Sequence, residues 1–136
     1  MISKKSKYAL KALGYLAGRH RSGPVVVSAI ANDRNIPLKF LESILLTLKN
    51  HHILISKKGQ GGGYLLARPP AKITIAEVLR AIDGPIAPLP CVSLNFYEKC
   101  EDCNERSCSV RKIMAATRDA TLKVLEKKTV QDLVIR

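Results

Sequence analysis

The chain has 136 residues, of which 46% are hydrophobic, and a formal net charge of +12. This length allows one domain, or a small domain with an added arm, and a core that needs no disulfide staples. The charge is uneven, because residues 1–58 hold 11 Lys and Arg against 2 acids. A polyanionic partner is therefore expected at the first half, although a solvated basic surface explains the charge alone equally well. An anionic membrane is a weaker alternative, because no basic helix has a bulky aromatic apolar face.

The start of the chain predicts a cytoplasmic protein. The stretch MISKKSKYALKALGYLAG is no secretory signal, because its apolar residues follow helical spacing and are interrupted by Lys11. No apolar run reaches the ~18 residues of a membrane span. Thiols stay reduced in the cytoplasm, which disfavours a structural disulfide between the cysteines.

Three helices are predicted in the first 50 residues. Apolar residues at helical spacing predict the first over 4–19. A brief helix over 29–34, which Ser28 would cap, and a longer helix over 38–50 follow. A turn at 35–37 separates these two. A short helix, a turn and a longer helix are typical of a helix-turn-helix, although such pairs also occur in proteins that bind nothing.

The outward face of the third helix carries the first candidate DNA contacts. If this helix enters a major groove, its outward side chains reach base edges or phosphates. They are Lys39, Ser43, Thr47 and Lys49. Ser28, at the start of the preceding helix, is a further candidate.

A hairpin with a basic, glycine-rich tip is predicted next. Strands over 53–56 and 64–67 flank the sequence KKGQGGG. Glycines at the tip let the backbone approach a phosphate or enter a minor groove without Cβ clashes. The order of helix-turn-helix and hairpin predicts a winged helix, with a flexible loop as the plainer alternative. A nucleotide-binding loop is disfavoured, because it would open a helix and end in Lys-Ser or Lys-Thr.

The last third of the chain predicts one long helix after a long loop. Thr74 and Glu77 form a capping box that opens a fourth helix, and residues 84–107 are loop-like. A long helix then runs from 109 to about 128, and a last turn over 129–134 follows. A small domain cannot easily bury the whole apolar stripe of that helix, which predicts pairing with a second copy; packing on the first helix is the alternative. The stripe consists of Val110, Ile113, Met114, Thr117, Thr121, Val124 and Leu125.

All four cysteines lie in one short segment, with the spacing Cys91-x8-Cys100-x2-Cys103-x4-Cys108. Thiolates at such short range can converge on a metal. An iron–sulfur cluster tolerates irregular spacing. Structural zinc usually shows two CxxC pairs, of which this chain has one. A thiol redox switch needs only two cysteines, so these alternatives stay open, as does the absence of any role.

Together these motifs resemble the Rrf2 family of bacterial winged-helix transcription regulators. The stretches that carry the resemblance are SKKSKYALKAL, IPLKFLESILLTLKN, ITIAEVLRAIDGP and above all SKKGQGGGYLLARPP. The resemblance implies a homodimer that binds a palindromic double-stranded DNA operator and pairs through its long helix. By position, it places Lys39, Phe40 and Ser43 on the recognition helix. It places on the wing Lys57, Lys58, Gln60 and Gly62.

The resemblance also implies a sensor in the cysteine segment. Some members hold an iron–sulfur cluster on three cysteines of this loop. By position, Cys108 matches the last of them, Cys100 and Cys103 fall in the middle, and Cys91 matches the upstream one. Some relatives place an acidic ligand where this chain has Lys7, so Cys91 is the natural candidate for a fourth ligand. Whether the cluster has two or four irons is left open. Members without loop cysteines regulate without a cluster, so zinc binding or thiol oxidation is the alternative.

The sequence therefore predicts a mainly α fold with a small β-hairpin wing. It divides into a winged helix-turn-helix over 1–83, a cysteine-bearing sensor loop over 84–108, and a dimerisation helix and tail over 109–136. The predicted function is a transcription regulator that senses iron–sulfur status, redox state or nitric oxide. The alternative from another class is an iron–sulfur redox or scaffold protein with no specific DNA target. No enzyme and no small-molecule substrate are expected, because no nucleophile–base set or paired carboxylates stand out.

Overall fold

The computed structural model describes residues 2–101 and 104–134. That part of the chain is mainly helical and contains one two-stranded antiparallel sheet, which confirms the predicted fold class. Its helices and strands are α1 (Lys4–Gly18), α2 (Val27–Arg34), α3 (Leu38–Asn50), β1 (Leu54–Lys57), β2 (Gly63–Leu66), α4 (Ile75–Asp83) and α5 (Ser109–Leu125). Short 3₁₀ turns lie at Pro70–Lys72, Pro90–Val92 and Val130–Leu133.

The core forms around α3. The apolar face of α3 is completely buried, while the opposite face is exposed to solvent. α1 and α4 pack against α3, and α1 brings Ala9, Ala12 and Leu13 into the core. Each fully buried leucine or isoleucine stabilises the fold by about 1.5–3 kcal/mol. The buried α3 side chains, at helical spacing, are Leu41, Ile44, Leu45 and Leu48.

A tight turn joins α2 to α3. Asn35 ends α2 in the left-handed conformation with φ 53°, and its N–H donates to the Ala31 carbonyl. The predicted cap at Ser28 is wrong. α2 begins at Val27, and the exposed Ser28 lies inside its first turn.

α2 begins two residues earlier than predicted because β2 holds Val25 in place. The Val25 N–H donates to the Tyr64 carbonyl at 2.9 Å, and the Tyr64 N–H donates back at 2.8 Å. The chain therefore enters α2 directly after this bridge. A Cβ at Gly63 would lie 2.3 Å from the Val25 carbonyl oxygen, and Gly63 has φ +147°. Only glycine allows this approach.

An ion pair ties the end of the wing to α4. The Arg68 guanidinium pairs with both oxygens of Glu77 and donates to the Lys72 carbonyl at 3.1 Å. The hydrogen bond to Glu77 raises the pKa of Arg68. The predicted capping box is therefore only half present: Thr74 Oγ1 accepts from the Glu77 N–H at 3.1 Å. The Glu77 carboxylate pairs with Arg68 instead of returning to the cap.

A second polar tie joins the end of α4 to the start of α1. The Asp83 carboxylate accepts hydrogen bonds from the Ser3 and Ser6 hydroxyls and from the Ser3 N–H. Partial burial works against the charged carboxylate, but these hydrogen bonds and the charge of Lys5 outweigh it and lower the pKa of Asp83. This carboxylate also compensates the first turn of α1, which contains no acid of its own.

The chain returns to the first helices after α5. The Val130 N–H donates to the Ile73 carbonyl at 2.9 Å, and the Val130 side chain is completely buried. Leu133 packs so closely against α1 that a Cβ on Gly14 would lie 3.2 Å from the Leu133 carbonyl oxygen. None of the helices over 2–101 and 104–134 is long and apolar enough to cross a membrane.

Replacing Gly63 with alanine is expected to destabilise the protein by about 2–3 kcal/mol, because the added methyl displaces Val25 and breaks two backbone hydrogen bonds. Urea unfolding followed by circular dichroism measures this loss. The matched control is Gly18→Ala, since Gly18 ends a helix and a Cβ there meets nothing within 4 Å. The control is expected to be neutral or slightly stabilising. Equal stability of both variants would refute the close approach at Gly63.

Candidate nucleic-acid interface and cysteine segment

The predicted contact residues of α3 lie on its solvent side. Lys39 and Ser43 are exposed, and Thr47 and Lys49 are partly exposed. The Ser43 hydroxyl donates to the Phe40 carbonyl at 2.8 Å, and the Thr47 hydroxyl donates to the Ser43 carbonyl at 3.1 Å. Both hydroxyl hydrogens are thus used within the helix, and the oxygens remain available as acceptors.

Phe40 has a packing role in addition to its exposed position. It is 36% exposed, and its ring meets the Tyr8 ring of α1 edge to face with 5.6 Å between centroids. An arrangement of this kind adds about 0.5–1.5 kcal/mol beyond burial. Phe40 therefore also anchors the first turn of α3 to α1.

The wing follows α3 directly. The Ile53 N–H donates to the Leu48 carbonyl of α3 at 3.0 Å, which sets the strand at the end of the helix. The predicted wing contacts Lys57, Lys58 and Gln60 are all exposed. A Cβ at the fourth, Gly62, would lie 2.2 Å from the Lys57 carbonyl oxygen, so the turn itself requires glycine there. Contact of Gly62 with a ligand would involve the backbone alone.

The charges on this surface are unpaired. Within residues 2–101 and 104–134, neither Lys39 nor the wing residues Lys57 and Lys58 form an ion pair. Lysines without internal partners raise the electrostatic potential of the surface and attract a polyanion. The structure thus brings the predicted α3 and wing residues onto neighbouring elements with free positive charge.

The cysteine segment is attached to α5 at two points. Cys91 is 8% exposed and lies in the turn Pro90–Val92. In this turn, the Val92 carbonyl accepts a hydrogen bond of 2.7 Å from the Arg118 guanidinium of α5. Cys108 is the N-cap of α5, and its Sγ accepts from the Arg111 N–H at 3.4 Å.

The middle of the segment is exposed and held by a few polar contacts. The Glu98 N–H donates to the Pro90 carbonyl at 3.1 Å, and the Tyr97 hydroxyl donates to the Glu105 carboxylate. The hydrogen bond with Glu105 raises the pKa of Tyr97. Cys100 is partly exposed, and the predicted ligand Cys103 lies outside the described residues. Among those described, no three Cys, His, Asp or Glu side chains come together as a metal site.

Part of the predicted stripe of α5 faces away from its own chain. Val110, Ile113 and Val124 are 53%, 62% and 56% exposed, whereas Met114 and Leu125 are partly buried. Leu122, on the flank of the helix next to Leu125, is 6% exposed and anchors α5 to the rest of the chain. Neither Leu122 nor the link through Arg118 was predicted from the sequence. The only sequence signal for either residue was its position off the stripe.

A protein-family model described as "Rrf2: Iron-dependent Transcriptional regulator" matches residues 2–136. An rrf2-like HTH-type transcriptional regulator of Rhodobacter capsulatus is 41% identical over 138 residues, which cover 98% of this chain and 92% of that protein. The HTH-type transcriptional regulator CymR of Bacillus subtilis is 31% identical over 132 residues, covering 97% of this chain and 88% of that protein.

Solved structures of regulators share the fold. The structure of CymR, the global cysteine regulator of B. subtilis, superposes with a TM-score of 0.81 and 32% identity, covering 98% of this chain and 95% of that chain. The structure of T. potens IscR superposes with a TM-score of 0.76 over 98% of this chain and 85% of that chain. With 23% identity, the latter likeness shows the fold alone.

Proposed function

Because the chain belongs to the Rrf2 family of transcriptional regulators, we propose that it binds a palindromic DNA operator as a homodimer and senses a signal through its cysteine segment. The observation that carries the DNA-binding part is the unpaired basic surface on α3 and the adjoining wing. The family is one of regulators and not of enzymes. In this proposal the protein regulates transcription in the cytoplasm, where its basic surface binds DNA and its cysteine segment senses the signal.

In this proposal α3 is the recognition helix. Lys39 and Ser43 lie on its exposed face and reach base edges in the major groove, while Thr47 and Phe40 flank them. The wing residues Lys57, Lys58 and Gln60 contact phosphates or the minor groove, and the Gly62 backbone belongs to the same tight turn. Ser28, exposed in the first turn of α2, contacts the DNA backbone.

Selection of bound duplexes from a random pool tests DNA reading. Ser43→Ala is expected to lower the preference for the selected duplex over a scrambled one by about 5- to 100-fold, because a base contact is lost. Lys57→Ala and Lys58→Ala should weaken both duplexes equally and reduce the salt slope of log K by about 0.9 each.

Lys127→Ala is the matched control, since it removes the same charge from an exposed position beyond α5. It should change neither the preference nor the slope. A wild-type protein that binds all duplexes equally would rule out sequence-specific recognition and would favour an iron–sulfur protein with an incidental basic face.

The exposed stripe of α5 supports pairing with a second copy. Val110, Ile113 and Val124 expose apolar surface on one side of a helix that packs on its own chain through the neighbouring flank at Leu122. A two-fold interface would bury this surface and include Met114, Thr117, Thr121 and Leu125. Pairing would also fix the distance between two recognition helices, which a palindromic operator requires.

Ile113→Glu is expected to raise the dissociation constant of the dimer by at least roughly tenfold, because it buries a carboxylate in the apolar interface. Sedimentation velocity measures the change. Lys112→Glu is the control, since it introduces a carboxylate at an exposed position of α5 on the side away from the stripe. If both variants remain dimers at concentrations where the wild type is one, the stripe is not the interface.

For the sensor we infer an iron–sulfur cluster held by Cys100, Cys103 and Cys108. The set of thiolate donors suits iron–sulfur chemistry, and the family description as iron-dependent favours iron over zinc. Such a cluster would supply a centre that responds to oxidation, nitric oxide or iron supply. Cys91 is buried in its turn, so it would join as a fourth ligand only after that turn opens.

The protein's own contacts indicate how the sensor would act on DNA binding. Cys108 caps α5, and Arg118 of α5 holds the turn that contains Cys91. Ligation or release at Cys108 would therefore act directly on the start of α5. Rearrangement at these two contacts would displace α5 and, through the dimer, change the spacing of the recognition helices.

Anaerobic purification is expected to yield a brown protein with stoichiometric iron and sulfide. Cys108→Ser should lose both, whereas Cys91→Ser should retain them with the same visible absorbance. Operator affinities of the loaded and cluster-free protein, compared at one salt concentration, should differ, since the cluster changes the position of α5. Colourless protein with bound zinc, or equal affinities in the two states, would contradict the cluster as the sensor.

A second candidate is a regulator that senses through its thiols without a cluster. The likeness to the global cysteine regulator of B. subtilis favours it. In that case the anaerobic protein is colourless and metal-free, and oxidation of the cysteines changes operator affinity.

A further inference from the structure

The first turns of α1 and α3 are joined by a stack of three side chains. The rings of Tyr8 and Phe40 meet at an interplanar angle of 79°, with centroids 5.6 Å apart. The Lys4 ammonium lies 5.7 Å from the centroid of the Tyr8 ring. Lys4 is exposed and Tyr8 is partly buried against the core. The stack therefore extends from solvent through α1 to the exposed face of the recognition helix.

The exposed side of the first turn of α3 has few restraints besides this contact. The buried Leu41 holds the inner side of the turn. Pro37 is the N-cap and makes no side-chain capping bond, and Leu38 and Lys39 are exposed. The contact between Phe40 and Tyr8 therefore restrains the outer side of the turn, where Lys39 lies.

We propose that Lys4 and Tyr8 extend the DNA-binding surface onto α1. Tyr8 is a positioning residue that holds the first turn of α3 through Phe40, so that Lys39 and Ser43 meet the same base pairs in every complex. Lys4 contacts a backbone phosphate beside the recognition helix, because its exposed ammonium lies over the ring that supports that helix. The proposal rests on the DNA-binding function proposed above.

The two roles leave different signatures. A positioning residue affects discrimination between sequences, because misdirected base contacts are lost while phosphate contacts adapt. A phosphate contact affects all sequences equally and contributes to the salt dependence of binding. One set of titrations can therefore separate Tyr8 from Lys4.

The experiment measures fluorescence anisotropy with the selected duplex and a scrambled duplex of equal length, at several salt concentrations. Tyr8→Ala is expected to lower the ratio of specific to non-specific affinity about tenfold and to leave the salt slope unchanged. Tyr8→Phe keeps the ring and should keep the ratio. Tyr8→Leu keeps apolar bulk without the ring, and Phe40→Leu removes the partner ring. Both leucine variants should lose discrimination between the two duplexes. They test the proposal even if Tyr8→Ala fails to fold.

Lys4→Ala should reduce the salt slope by about 0.9 and leave the ratio unchanged. Lys11→Ala is its matched control, an exposed lysine of the same helix that lies two turns further along. It should leave the slope unchanged, because the slope counts only lysines that neutralise a phosphate and the proposal assigns that contact to Lys4.

Two results would overturn this proposal without contradicting sequence-specific DNA binding. One is wild-type discrimination that persists in both leucine variants, and the other is an equal change of slope in Lys4→Ala and Lys11→Ala. If Tyr8→Leu loses affinity equally for both duplexes and has a lower melting temperature, Tyr8 only stabilises the fold and the proposal is wrong. A wild-type protein without discrimination would instead refute the proposed function and this inference with it.

Discussion

Burial of one face of α3 is the constraint on which the rest of this structure depends. Leu41, Ile44, Leu45 and Leu48 are completely removed from solvent, and they leave only one orientation for the helix. The opposite face, with Lys39 and Ser43, must then point outward. The hydrophobic effect that builds the core thus also presents the candidate recognition surface.

Polar contacts at the edges then set the positions of the neighbouring elements. The bridge between Val25 and Tyr64 attaches the wing to the start of α2, and Gly63 makes that approach sterically accessible. Arg68 ties the base of the wing to α4 through Glu77. As a partly exposed ion pair, Arg68 and Glu77 contribute little stability by themselves, but their contact has a defined geometry. Together these contacts hold the wing in a fixed position beside α3.

The cysteine segment differs in character from the rest. The helices around it are held by buried apolar faces. Beyond its buried start at 91–93, the described part of the segment is held by single hydrogen bonds and exposes Leu94, Phe96 and Tyr97. A segment with so few buried contacts rearranges at low cost in free energy. Its attachments to α5, at Cys108 and through Arg118, would carry such a rearrangement to the helix that presents the exposed stripe.

The sequence by itself determined the helices, the wing and their order, because apolar periodicity, Pro37 and the glycine-rich tip act over a few residues. It also identified the stripe of α5, since spacing along a helix defines a face. The tertiary structure decided what depends on residues far apart in the chain: the start of α2 at Val27, set by a bridge to Tyr64, and the diversion of Glu77 from a capping box to Arg68. It also decided the contacts of Tyr8 with Phe40 and of Arg118 with Val92, across 26 or more residues. Local patterns predict which face of a helix or strand a side chain occupies. The residue that it contacts there is determined only when the elements pack together.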